Sequence, residues 1–564
     1  FIKRHLWVII FSVTIIAGIW EIRTMMRFIK RHLWVIIFSV TIIAGIWEIR
    51  TMMRKEKTSL PSAKKSEFVP AEFPNKMLLT VHLDLKGAPP NFLYLKTLLP
   101  KMAAAGCDSL LIEYEDMFPY KGKLTNLSAT NHYSPAQIRE MIGWAHDLGM
   151  QVIPLVQSFG HLESALKLKE WAHLRELYEY PSEICPSHPD SFSLVTEMIS
   201  QVMRFHRNSP YLHIGCDEVF HLNLCPKCRE RALSSRALFE DHVIRLAKWL
   251  KERYPEVQPI IWDDMMRKWP AEDIINTRLA AHVVPMVWDY TSDVKYVQRV
   301  WWLYAKAFPK IWVAGAFKGA GEPRSDFPHI ERRLANQRSW LELIHTSKTS
   351  HKVSGLALTG WSRFDHFAVL CELLPVAIPS LLLNLLYVKA HLGGEAPQKQ
   401  RMIYREWQDS LGCPGRIIPE NMNTIEGRDD LMDCIWPGVD LYKSLVAYRE
   451  LKNEVKKTEH IISERQGYLT RYNAMHNFTN PKRVVEIVIE RGVQSTLRQL
   501  EKLKEDIYRQ LVWYTDDFTA KEWVEDRVLP LTSSLMSLNA LTDALLARRD
   551  WPRRPLETNI PLYG

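Results

Sequence analysis

Two carboxylates stand side by side at Asp217 and Glu218, directly after the apolar run Tyr211–Cys216. A carboxyl that can hold and release a proton is what an oxygen leaving group at an acetal carbon needs to avoid departing as an alkoxide. A second group must then hold the positive charge that develops on that carbon. Carboxylates that attack and protonate from opposite sides of a sugar ring stand about 5 Å apart in retaining enzymes and further apart in inverting ones. Consecutive residues leaving a strand point in different directions, so this pair is awkward as an opposed acid and nucleophile. It suits an acid beside a residue that orients a nucleophile belonging to the substrate.

Other residues of useful type fall at comparable places. Short apolar, β-branched runs recur at Leu78–Leu85, Asp108–Tyr114, Gln151–Gln157, Tyr211–Cys216, Gln258–Asp264, Val284–Tyr290, Ile311–Phe317 and Gly355–Trp361. Helix-length stretches such as Ser134–Leu148 and Phe239–Tyr254 lie between them. Eight β–α units predict an α/β fold, a parallel (β/α)8 TIM barrel, whose active site is built at the C-terminal ends of the strands. Those ends carry Asp84 and Lys86, Glu113 and Glu115, His161 and Glu163, Asp217 and Glu218, Asp263 and Asp264, Trp288 to Tyr290, Lys318 and Trp361. Carboxylates and indoles on one rim, with no Gly-rich phosphate loop, suit a neutral, hydroxyl-rich ligand whose C–H face packs on Trp. Glu113 and Glu115 read equally as ion-pair partners at the barrel mouth. Asp263 and Asp264 read the same way, or with one of them reaching a sugar hydroxyl.

The run His213-Ile-Gly-Cys-Asp-Glu resembles the signature of glycoside hydrolase family 20, the β-N-acetylhexosaminidases. HLDLKGAPP (82–90), LLIEYEDMFPY (110–120), IPLVQSFGHLE (153–163), IIWDDM (260–265), VWDYT (287–291), AFKGA (316–320) and LTGWSRFDHFAVLCELLP (358–375) resemble the same family in the same order. The resemblance implies a retaining exo-enzyme acting on terminal β-linked N-acetylhexosamine through an oxazolinium ion. Glu218 would be the acid, then the base. Asp217 would orient the 2-acetamido group, Tyr290 would hydrogen-bond its oxygen, and His161 would support the acid's protonation. Trp262, Trp288 and Trp361 would wall the pocket, with Asp84, Glu115, Asp263 and Asp365 as further sugar contacts. Two departures stand out. Cys216 replaces a common Gly, and the sugar-gripping Arg after the first strand is absent, with Asp84 and Lys86 in its neighbourhood. The resemblance is to the family's cytosolic or nuclear branch and implies a preference for β-linked N-acetylgalactosamine over N-acetylglucosamine. It implies no cofactor and no catalytic metal. A glycan-binding protein without turnover, tethered to a membrane on the same barrel, is the alternative; both carboxylates, Tyr290 and His161 argue against it. A barrel enzyme acting on a phosphorylated sugar finds only a weak echo in Gly315, Gly319 and Gly321.

The chain has 564 residues, 47% of them hydrophobic and 24% charged, a globular composition that excludes a disordered or fibrous chain. Its net charge of +9 suggests nucleic acid until it is located. Residues 1–57 hold ten Lys and Arg against three Asp and Glu, and the other residues are nearly balanced. A nucleic-acid-binding body carries its own basic stripe, so nucleic acid is not expected as a partner. Residues 1–27 recur unchanged as 28–54, a perfect copy that points to a recent duplication or an assembly artefact. Each copy holds an apolar run, Leu6–Trp20 and Leu33–Trp47, close to the lower length limit of a membrane span. We therefore expect a signal-anchor-like segment at 1–54, a stalk at 55–76, the barrel at 77–395 and a helical C-terminal region at 396–564. A single anchor would place the catalytic domain in the Golgi or endoplasmic reticulum lumen, where the sequons at Asn126 and Asn477 would matter. Cytoplasm or nucleus, as in the resembled branch, is the alternative. A homodimer is compatible with the sequence. Eight cysteines are too few for a disulfide scaffold. Cys225-Pro-Lys-Cys228 supplies two of the four ligands a structural zinc wants, so the sequence favours a reduced pair or a local disulfide there.

Overall fold

The computed structural model describes residues 77–556 except 348–349, 393–399, 416 and 418–429. The anchor and stalk expected over 1–76 lie outside the described residues. The strands are β1 (Leu78–Asp84), β2 (Ser109–Glu113), β3 (Gln151–Leu155), β4 (Arg175–Leu177), β5 (Tyr180–Ile184), β6 (Tyr211–His213), β7 (Gln258–Trp262), β8 (Val284–Trp288), β9 (Ile311–Lys318) and β10 (Val353–Gly360). Eight of them close into a parallel barrel in the order β1-β10-β9-β8-β7-β6-β3-β2. The remaining two, β4 and β5, form a separate antiparallel pair. The barrel strands are near-continuous apolar runs because helices cover one face and the barrel interior the other.

Large and small side chains interlock inside the barrel. Leu78, Leu111, Ile153, Ile260, Met286 and Trp312 fill it beside Ala314 and Ala357. Gly355 is required here, since a Cβ on it would lie 2.4 Å from the Trp312 ring. Helices start where capping residues permit. Ser134 accepts from Gln137 N and Gln137 reaches back to Ser134 N, a capping box that opens the helix Pro135–Asp147. Ser234 accepts from Ala237 N, so the helix expected over Phe239–Tyr254 runs Ser235–Arg253, starting four residues earlier than its apolar periodicity indicates.

Pro375–Leu392 is, among the described residues, one helix long and apolar enough to cross a membrane, but 72% of it is buried inside the protein. It is the last barrel helix, as the interrupting Glu372, Pro375 and Pro379 indicate. The C-terminal helices Val439–His460, Val493–Tyr514, Asp517–Arg527 and Leu529–Ala547 follow. They do more than append to the barrel. Leu511, Tyr514, Trp523 and Val528 belong to the core that the barrel strands and helices share. Asn91 N donates to Tyr514 O at 2.8 Å. Arg363, at the barrel mouth, donates through both terminal nitrogens to Glu522 at 2.6 Å each. Cys413 and Cys434 form a disulfide within the C-terminal region.

Candidate active site

A cleft of about 720 Å³ opens at the C-terminal ends of the barrel strands, a size suited to a small ligand. Asp217 and Glu218 both face it, as do His161, Trp262, Trp288, Tyr290, Trp361 and Asp365. The pair does not splay apart as strand geometry suggests. β6 ends at His213, and Gly215, Cys216 and Glu218 all have positive φ (66°, 73° and 52°). The backbone therefore coils, and both carboxylates turn onto one imidazole. His161 Nε2 lies 3.1 Å from Glu218 Oε2 and 3.6 Å from Asp217 Oδ2. His161 itself sits at φ 51° after Gly160, where a Cβ would come within 2.1 Å of the Asp217 carbonyl oxygen. Gly160 is thus what lets the two loops approach.

Charge and burial set the protonation of this trio. Burial opposes a charge on His161, but Asp217, the Glu218 hydrogen bond and Glu163 outweigh it and raise the imidazole to about 10. The hydrogen bond to His161 holds the half-exposed Glu218 below its ordinary value. Burial lifts Asp217 to about 7, against the pull of His161. The shared proton therefore rests on His161 as the side chains stand. This amends the expectation that His161 keeps Glu218 protonated: the hydrogen bond is present, but it draws the proton the other way. Asp217 Oδ1 is buried and has no hydrogen-bond partner among the described residues, and the same is true of Trp262 Nε1. Unmet polar atoms lining a cleft are what a bound polar group would satisfy.

The aromatic wall is continuous. Trp288 stacks on Tyr290 with centroids 5.2 Å apart, Tyr290 meets Trp361 edge-on at 6.5 Å, and Trp361 meets Trp262 at 5.8 Å. Burial raises the Tyr290 phenol well above its usual range, so it stays a hydrogen-bond donor. Asp264 helps hold the wall, accepting from Trp288 Nε1 at 3.2 Å and from Glu218 N at 2.9 Å.

Three expected sugar contacts are not in the cleft lining. Asp263 is fully buried and occupied: Arg267 donates to it twice (2.7 and 2.6 Å), and Trp288 N once (3.2 Å). Asp84 accepts from Lys86 N and Ser362 N at 3.0 and 2.8 Å. Glu115 pairs with Lys86 Nζ at 3.3 Å and His366 Nδ1 at 3.1 Å. Lys86 lies beneath Trp361, 5.5 Å from its ring, within 4 Å of Asp84, Glu113 and Glu115. These side chains form a buried charge cluster below the floor, so Lys86 does not replace the missing Arg as a grip on sugar.

The structure adds residues the sequence did not single out. The β4–β5 hairpin forms a wall with Tyr180, Pro181, Ser182 and Glu183, facing Phe220 and His221. Glu183 accepts from the backbone N–H groups of Phe220 and His221 at 2.8 and 2.9 Å, which fixes the loop that follows the acidic pair. Residues 174–184 show no apolar–polar alternation, so little in the sequence signals this hairpin. Arg363, Phe364 and Phe367 close the opposite side.

These features agree with known proteins. The profile of the glycosyl hydrolase family 20 catalytic domain matches residues 94–301. Hexosaminidase D of Homo sapiens is 36% identical over 475 residues, covering 82% of this chain and 93% of that protein. Hexosaminidase D of Bos taurus is 42% identical over 308 residues, covering 53% and 89%. A β-N-acetylhexosaminidase structure from Bacteroides fragilis superposes with a TM-score of 0.47 at 17% identity, over 62% of this chain and 75% of its own. With an acidic pair at the mouth of a parallel barrel and a relative this similar along most of its length, the chain belongs to glycosyl hydrolase family 20.

Proposed function

We propose that the protein is a retaining exo-β-N-acetylhexosaminidase that uses the substrate's own acetamido group as nucleophile. The observation that carries this reading is the convergence of Asp217 and Glu218 on one imidazole nitrogen, at 3.6 and 3.1 Å, inside an indole-walled cleft. Two carboxylates that share one nitrogen lie on the same side of a bound sugar, so they do not form the opposed pair of a protein-nucleophile mechanism. Asp217 instead takes the acetamido N–H, and Tyr290 donates to its carbonyl oxygen. That oxygen attacks the anomeric carbon as the glycosidic bond breaks, giving an oxazolinium ion.

Glu218 supplies the proton. Its side chain is 41% exposed before a sugar covers it. Losing that solvent raises a carboxyl's affinity for a proton, which moves the shared proton from His161 onto Glu218 and toward the leaving oxygen. Glu218 then removes a proton from the water that opens the oxazolinium ring. Terminal N-acetylgalactosamine is favoured over N-acetylglucosamine, as the resemblance to hexosaminidase D implies.

The test compares the wild type with Glu218→Gln and Asp217→Asn on aryl β-N-acetylgalactosaminide and β-N-acetylglucosaminide. We expect each substitution to lower kcat by about 10²–10⁴-fold, and a thiazoline mimic of the oxazoline to inhibit the wild type. Equal activity in all three proteins refutes the assignment. Failure of the thiazoline turns the mechanism toward a protein nucleophile, with Glu163 and Asp365 in the same cleft as candidates.

A further inference from the structure

The Cys225-Pro-Lys-Cys228 pair lacks two ligands in the sequence, and the fold brings them. Cys185, directly after β5, places its Sγ 3.3 Å from Cys225 Sγ and 3.6 Å from Cys228 Sγ. Glu176, in β4, places Oε2 3.2 Å from Cys228 Sγ. The four donor atoms lie within 4.8 Å of one another, and all four residues are buried. We propose that Glu176, Cys185, Cys225 and Cys228 bind one zinc ion in a closed, structural site that fastens the hairpin wall of the cleft to the loop bearing Asp217 and Glu218.

Ligand types and spacing both fit. Zinc takes thiolate and carboxylate donors in a tetrahedron, with Zn–S near 2.3 Å, which sets sulfur–sulfur separations of about 3.8 Å. The thiols need to part by only a few tenths of an ångström to admit the ion. A disulfide fits the cluster poorly. Any bond between two of the three sulfurs leaves one thiol over, beside the buried Glu176 carboxylate, whose hydrogen-bond partners are backbone N–H groups and the Cys228 thiol. A buried carboxylate held by hydrogen bonds but without a cationic partner still carries a desolvation cost, which a divalent cation offsets.

The surroundings already orient the donors. Leu224 N and Cys225 N donate to Glu176 Oε1 at 2.8 and 2.9 Å, which leaves Oε2 turned to the thiols. Cys228 N donates to Cys225 Sγ at 3.3 Å, and Ser187 Oγ lies 3.1 Å from Cys228 Sγ. Outer hydrogen bonds of this kind fix ligands at metal centres. Four protein ligands leave no open position, so the ion takes no part in the reaction. Two ligands come from the hairpin and its exit, and two from the N-cap and first turn of the helix Pro226–Glu230 that ends the loop, so the ion doubles the clamp that Glu183 makes on Phe220 and His221. Binding displaces the thiol protons into solvent.

The test is the metal content of the full-length protein by mass spectrometry of the elements, which is independent of any glycosidase assay. We expect about one zinc per chain, released when a mercurial titrates the thiols. The zinc X-ray absorption edge should report three sulfurs and one oxygen. Cys185→Ser and Cys228→Ser should each lose the zinc. Glu176→Gln should keep the fold and release zinc to a chelator faster than wild type. Wild-type protein that carries no zinc and takes up none from added zinc chloride overturns the proposal. So does zinc retained unchanged in both cysteine variants, or an intact disulfide among these three cysteines in peptide mass analysis.

Discussion

Replacing His161 by Gln separates charge from hydrogen bonding at the site. Gln keeps a donor within reach of Glu218 but removes the cation that Asp217 faces at 3.6 Å. Two unit charges at that distance interact by about 4–5 kcal/mol at an effective dielectric near 20. The pair opens onto a wet cleft, so roughly half of this, about 2 kcal/mol, is a reasonable share, equal to about 1.5 pH units. On the proposed mechanism we expect the wild-type acid limb of kcat/KM to follow ionisation of Asp217 near 7, and the alkaline limb to follow loss of the shared proton as His161 approaches about 10. In His161→Gln the buried Asp217 loses its cation, so its limb moves up by about 1–2 units. The proton must then sit on Glu218 alone, in the ordinary carboxylic range, so the alkaline limb moves to lower pH. The two limbs cross. We expect kcat/KM at pH 7 to fall by about 10²–10⁴-fold, with KM little changed because the indole wall is intact. The assay is kcat/KM from pH 4 to 11 on an aryl β-N-acetylhexosaminide. A uniform loss with both limbs unmoved would show that His161 only packs, and would refute the shared-proton account.

Three further expectations set buried charged residues near the strand ends against one at the cleft surface. Asp263→Asn should cost about 2–4 kcal/mol of stability in denaturant unfolding, because Arg267 is left with a neutral partner. Asp365→Asn, at the cleft surface, should instead raise KM and leave the unfolding midpoint unchanged. Lys86→Met should destabilise by about 3–5 kcal/mol, because three buried carboxylates lose their common cation. A melt of Lys86→Met indistinguishable from wild type would remove the charge cluster from the account of the barrel floor.

The barrel was legible because its strands are short, apolar and punctuated by helix-length segments, and because no long-range information is needed to see that. Six of the eight barrel strands fall within the predicted runs; β9 extends one residue past its run, to Lys318, and β10 starts two residues before its run, at Val353. His161, Tyr290 and the three Trp were legible for the same reason: a strand's end has a fixed address in this fold. What the address does not give is which way a side chain turns beyond it. Asp263 and Asp264 are neighbours, yet one is sealed by Arg267 and the other braces Trp288 and the Glu218 amide. The direction of the Asp217–Glu218 pair was hidden too, because alternation fails once Gly215, Cys216 and Glu218 take positive φ. Cys185 and Glu176 lie some forty to fifty residues before the Cys225 pair, and only the folded hairpin makes them its neighbours.

The pairing of β3 with β6 is brief, with Leu155 opposite His213 and little ladder beyond it. Past that point Val156 N still reaches His213 O, and then the Ser158 hydroxyl, a side chain, bonds to the Ile214 carbonyl at 2.6 Å. A barrel is a closed hoop, and this is the stave least firmly joined. A joint this short is where we expect changes in the length or shape of the inserted segment between β3 and β6 to be absorbed, leaving the register of the other seven pairings in place. The hoop is thus most compliant beneath the residues whose placement matters most, and a rearranged insertion can reshape the cleft while the rest of the barrel keeps its form.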